Sequence, residues 1–126
     1  MKNFYTEPWE KSEIWGCKLL EMKHLGGPGK PDCIDEKDPK RIGEVKDYRR
    51  SFNAYDLKRE LQKPRMKELN EINVLVMGPC TSNAKENAKK NSSLKLFCNL
   101  RHFNAEQLNS LIKLGKIISN FHGSSL

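Results

Sequence analysis

Apolar positions in this chain recur with two different periods, about two residues in some segments and about 3.6 in others, and the two kinds of segment take turns along the sequence. Ile72 to Met77 is an almost unbroken apolar run closed by Gly78-Pro79, the pattern of a strand buried on both faces. "SLKLFCN" sets Leu94, Leu96 and Cys98 on one side of a second strand and Phe97 on the other. In "RIGEVKDY" the same alternation gives Ile42, Glu44, Lys46 and Tyr48 one face, while Val45 turns the opposite way into the core. "PDCID" is a shorter apolar piece, and the charged "EKDPKR" with Pro39 between the two reads as the turn of an antiparallel hairpin.

The helical period accounts for most of the remainder. About Thr6 to Trp15 reads as a short helix with Pro8 in its first turn, where a missing N–H costs nothing, and with acids at Glu7, Glu10 and Glu13. From Gly16, "GCKLLEMKHL" can continue that helix or turn into a first strand, and the short gap before the turn at Gly26 to Gly29 favours the strand. "NAYDLKRELQKPRMKELNE" carries Leu57 and Leu61 one turn apart, with a kink or break at Pro64. Thr81 or Ser82 can cap "SNAKENAKKN", because a hydroxyl accepts from free first-turn amides. A last helix starts with Asn104 as cap and repeats Leu108, Leu111, Ile112 and Ile118, after which "HGSSL" should fray. Helices interleaved with strands predict an α/β protein, a sheet with flanking helices.

At 126 residues the chain suits one domain, spanning 1–126. No apolar run approaches membrane-spanning length, and "MKNFYTEPWE" lacks the apolar core of a secretory signal. The expectation is a cytoplasmic protein, with a secreted effector left open if the chain is a domain of something longer. Cys17, Cys33, Cys80 and Cys98 are widely spaced, with no C-x-x-C pair and no neighbouring histidine, which predicts reduced, half-buried thiols rather than zinc ligands or a disulfide framework. A net charge of +7 favours a polyanionic partner, nucleic acid first, although lysine-rich surfaces also serve solubility.

The alternation in the Glu44 strand makes that charge specific. Glu44 and Lys46 point together, and across the hairpin Asp32 can lie near Glu44, so two carboxylates and an ammonium converge. Two carboxylates with waters and a substrate phosphate oxygen suit Mg²⁺, and Lys46 can orient an attacking water or neutralise charge building on the phosphoryl group. Each signal alone has a plainer explanation: Glu-x-Lys is a surface ion pair worth little, and Pro-Asp after glycines is a turn. His24 and His102 read as surface or loop residues, and with His122 they show no metal-ligand spacing.

Pro31-Asp32, preceded by "GGPGK", followed by Glu44-Val45-Lys46, resembles the PD-(D/E)xK phosphodiesterases of the restriction endonuclease-like fold, over roughly residues 16 to 115. "VLVMGPCTSNAKENAKKNSSLKLF" is most similar to the Mrr-like branch. The resemblance implies a central mixed β-sheet flanked by helices and a metal-dependent endonuclease, with Asp32 and Glu44 holding Mg²⁺, or Mn²⁺ in its place, and Lys46 as the catalytic lysine. It further implies a glutamate from the first helix, for which Glu7, Glu10 and Glu13 are the candidates, Glu13 on the apolar side, and, as in some branches, a glutamine near the site, for which Gln62 is the candidate unless it is an exposed helix residue. Arg49, Arg50, Lys58, Arg59 and Lys63 could track a phosphate backbone or form a solvated basic face. DNA is favoured over RNA as substrate, and a homodimer stays open. A restriction-type enzyme, a toxin module and a junction resolvase are not separated. A ribonuclease of the same fold, a nucleic-acid-binding module without hydrolysis and a protein-interaction domain are the alternatives.

Overall fold

The structure is a computed structural model that describes residues 8–63, 68–102, 106, 107 and 110. In chain order it contains α1 (Pro8–Leu19), β1 (Lys23–His24), β2 (Cys33–Ile34), β3 (Arg41–Lys46), α2 (Ala54–Leu61), β4 (Glu71–Val76), α3 (Ser82–Lys89) and β5 (Leu94–Phe97), followed by a 3₁₀ turn, Leu100–His102. The strands form one sheet in the order β1-β2-β3-β4-β5. β1, β2 and β3 run antiparallel as a meander, and β3, β4 and β5 run parallel, so the sheet is mixed. Parallel neighbours require a crossover. α2 supplies the one from β3 to β4, and α3 the one from β4 to β5.

Side-chain alternation divides the core in two. Ile42, Ile72, Val74, Val76, Leu94 and Leu96 join Leu57 of α2 and Ala84 and Ala88 of α3 on one face. Val45, Leu75, Met77 and Phe97 join Cys17 and Leu19 of α1 on the other. The run Ile72 to Met77 is buried throughout, as its composition predicts. Leu94, Leu96 and Cys98 also fall on the opposite side from Phe97, as expected.

Helix ends follow local chemistry. α2 begins at a capping box in which the Asn53 side chain accepts from the Asp56 amide and the Asp56 carboxylate accepts from the Asn53 amide, both at 2.9 Å. Thr81, rather than Ser82, caps α3 by accepting from Ala84 N–H. α2 stops at Leu61, before Pro64, which lies outside the described residues together with Asn104, Leu108, Leu111, Ile112, Ile118 and His122. Glu106, Gln107 and Ser110 are helical.

Two expectations are overturned. Gly16 to Leu19 do not begin a strand; they complete α1, and only Lys23–His24 pair with the sheet. The reason is tertiary: α1 lies so close to β3 that a Cβ on Gly16 would sit 2.7 Å from Val45 Cγ2, and one on Gly43 would sit 2.6 Å from Leu20 Cδ1. Glycine on both sides of the contact lets helix and strand approach, and Cys17 and Leu19 are buried by that approach. The cysteines are not reduced either. Cys17 is bonded to Cys33 and Cys80 to Cys98, the first pair joining α1 to β2 and the second joining the segment after β4 to the end of β5. Partners 16 and 18 residues apart in sequence lack the short spacing that marks a pair in advance; the fold brings them together.

At the amino ends of the parallel strands a polar ladder crosses the sheet. Arg41 bonds Glu71 at 2.9 Å and also pairs with Asp35, Lys95 reaches Glu71 at 3.2 Å, and the buried Asn73 amide donates to Glu71 and to Ile42 O. The apolar layers therefore end in charge at one edge, and the candidate chemistry lies at the other.

Candidate active site

β3 delivers Glu44 and Lys46 to the face covered by α2, as alternation predicts. Cys33 pairs with Gly43 and Ile34 with Ile42, so continuing that register by one residue sets Asp32 opposite Glu44. The strand ladder itself stops at Cys33, which leaves the β3 edge without a backbone partner at Val45. The Asp32 carboxylate takes that place: Val45 N–H donates to Asp32 Oδ2 at 2.8 Å. The Pro-Asp turn and the Glu-x-Lys strand are thus joined by a direct bond. Asp32 is held at the edge of β3 by the amide of Val45.

Lys46 points at a residue outside the predicted set. Its Nζ is 2.8 Å from Glu60 Oε2, and Lys63 Nζ reaches Glu60 Oε1 at the same distance. Glu60 is 4% exposed. Burial pulls the Lys46 ammonium down, but the charge and hydrogen bond of Glu60, with Tyr48 and Glu44 adding to them, outweigh it and hold Lys46 above the ordinary lysine value. Burial pushes Glu60 up, and Lys46 and Lys63 together hold it below the ordinary glutamate value. Both groups are charged at neutral pH. The sequence shows that a lysine on a half-buried strand face needs a carboxylate, but not which one: Glu60 borders the Leu57/Leu61 stripe of the next helix, and only the packing of α2 on β3 selects it.

The other candidates are dispersed. Glu13 Oε1 accepts a hydrogen bond from His24 Nε2 at 3.0 Å, and its helix covers the Val45 face of the sheet, away from Glu44 and Lys46. His24 is accordingly a half-buried strand residue with a partner rather than a loop residue, and His102 falls in the 3₁₀ turn. Gln62 is the exposed C-cap of α2 and lines a groove with Tyr55, Lys58 and Asn87 between α2 and α3, not the Lys46 site. Arg50 clamps the start of α2, donating to Asp56 Oδ1 at 2.8 Å with its guanidinium 4.6 Å over the Tyr48 ring. The hydrogen bond from Arg50 outweighs burial and holds the Asp56 carboxyl below its ordinary value. Arg49, Lys58 and Arg59 are exposed, and Arg59 lies 5.7 Å from the Tyr55 ring.

As a donor set, Asp32, just before β2, and Glu44 of β3 offer hard carboxylate oxygens, which fit Mg²⁺ or Mn²⁺ better than a soft metal. Among the described residues no three His, Cys, Asp or Glu side chains gather into a metal cage. A cation here would therefore depend on those two carboxylates, with water and substrate phosphate as its other ligands. Comparison of the chain with family models, with curated proteins and with solved structures returns no match in any of the three.

Proposed function

We propose that the chain is a metal-dependent phosphodiesterase of the PD-(D/E)xK kind, with the restriction endonuclease-like variant of its α/β fold, and that it cleaves nucleic acid, DNA before RNA. The observation that supports the reading is the bond from Val45 N–H to Asp32 Oδ2, which ties Asp32 to the strand that carries Glu44 and Lys46 at alternate positions. Asp32 and Glu44 would hold the cation, which when bound supplies Lewis acidity at the scissile phosphate. Val45 N–H fixes the Asp32 carboxylate against the strand. Glu60 keeps Lys46 protonated, so that its ammonium can neutralise charge gathering on the phosphoryl oxygens. A net charge of +7 supports a polyanionic substrate.

Incubating the protein with supercoiled plasmid and Mg²⁺ or Mn²⁺, beside an EDTA control and a transfer RNA substrate, tests the reading. Metal-dependent nicking supports a deoxyribonuclease. Degradation of RNA alone moves the substrate to RNA, and inertness on both removes the enzymatic reading. A second reading, binding without hydrolysis, draws on two features: Glu44 is 2% exposed, and the Lys46 ammonium is already held by Glu60. It requires salt-sensitive nucleic-acid binding that is indifferent to Mg²⁺ and unchanged in Glu44→Ala.

A further inference from the structure

A cleft of about 350 Å³ opens on the opposite side of β3 from Lys46, lined by Lys11, Ser12 and Trp15 of α1, by Asp47 and Met77 just beyond β3 and β4, and by Leu100 and Arg101. It lies at the carboxyl ends of the parallel strands, where open α/β sheets receive ligands. Its volume falls within the range of small-ligand sites, about 300–1,000 Å³.

The lining divides by chemistry. Met77 and Leu100 are buried and belong to the apolar cluster against which the half-buried Trp15 packs, so the apolar part of the lining comes from these three residues. Polar groups form the rim. Ser12 Oγ donates to Asp47 Oδ2 at 2.7 Å, and the Arg101 guanidinium pairs with Asp47 Oδ1. The one carboxylate on the rim is thereby compensated, and Lys11, exposed and one helical turn before Trp15, adds a cation with no ion-pair partner among the described residues. An aromatic residue in the lining together with a net positive rim complements a flat heteroaromatic ring that carries a phosphate. Asp47 follows Lys46 directly, so the cleft and the candidate phosphate site share the end of one strand.

We infer that this cleft receives one unstacked nucleotide of a single-stranded nucleic acid, base against Trp15 and phosphate toward Lys11; the identity of the polymer rests on the nuclease reading. A base in contact with the indole face has left its own stack, so a paired duplex is the poorer ligand.

Fluorescence anisotropy of a labelled single-stranded 12-mer and of a hairpin duplex of the same length, both in EDTA so that cleavage does not intervene, tests this. Wild type should bind the single strand more tightly. Trp15→Leu should weaken single-strand binding about tenfold or more, and Trp15→Phe, which keeps a ring, should retain most of it. Lys11→Glu, at an exposed position, should also weaken the single strand and is informative if Trp15→Leu fails to fold. A preference for duplex, or unchanged single-strand affinity in folded Trp15→Leu or in Lys11→Glu, overturns the inference. The nuclease reading fails separately, on absence of metal-dependent cleavage by wild type.

Discussion

Lys46 occupies a position where an ammonium is costly unless opposed by charge, and Glu60 opposes it at 2.8 Å. Under the nuclease reading, Lys46→Ala should retain nucleic-acid binding and lose cleavage by about a hundredfold or more, because the carboxylates still hold the ion while the charge at the phosphoryl group is gone. Lys46→Arg should not restore it, since a planar guanidinium does not place its charge at the same point. Glu60→Gln has a different signature. Burial alone lowers a lysine, and Glu60 is the largest influence holding Lys46 up, so removing its charge should bring the alkaline limb of the pH–rate profile to lower pH. An alkaline limb unmoved in Glu60→Gln would separate Lys46 from the rate-determining protonation state. The face that Glu44 and Lys46 share is legible from alternation along β3 alone. Glu60 is not, because its role depends on how far α2 carries it back over β3, a tertiary distance that no local period encodes. Glu13 and Gln62 miss the site for the same reason: helical spacing specifies a face of a helix but not the strand that face will meet.

Among the elements, the ladder at the amino ends of β3, β4 and β5 governs acid behaviour. Burial raises the Glu71 carboxyl, but hydrogen bonds from Arg41 and Asn73 and the charge of Lys95 outweigh it and bring it to about 2. A carboxylate lowered by folding contributes stability that is complete above its unfolded value, near 4.5, and is lost as pH falls from there toward about 2. Urea denaturation across that window should show wild-type stability declining, and Glu71→Gln, less stable at neutral pH, should decline less steeply. The hairpin, the buried β4 run and the capped α3 are all legible, each being specified by neighbours in sequence. The carboxyl half of α1 is not. "GCKLLEMKHL" reads as either period, and the choice falls to the contact of Gly16 with Val45 and Gly43 with Leu20, long-range packing that overrides local preference.

For the whole molecule, the two disulfides close the protein at both ends of the chemistry. Cys33 follows Asp32 directly, so the Cys17–Cys33 bond ties the candidate metal ligand to α1, and Cys80–Cys98 ties together the segments after β4 and β5. Loops of this size are worth about 3 kcal/mol each in the chain-entropy account. Replacing Cys17 and Cys33 together by serine should lower stability by about that amount in a denaturant melt, and plasmid cleavage should fall with it if Asp32 is a ligand. Disulfides persist in oxidising compartments.

Burial also decides how these bonds would break. Thiol–disulfide exchange needs a thiolate to reach a sulfur atom directly, yet Cys17 is 1% exposed and Cys33 0%. A reductant must wait until α1 lifts from the sheet. The rate at which this pair yields free thiols should level off as reductant concentration rises, and the plateau then times the local opening of α1. Cys80, at 8% exposed, offers the earlier point of attack. The sulfur chemistry becomes a clock for a motion next to the candidate active site, readable with a thiol dye and no substrate at all.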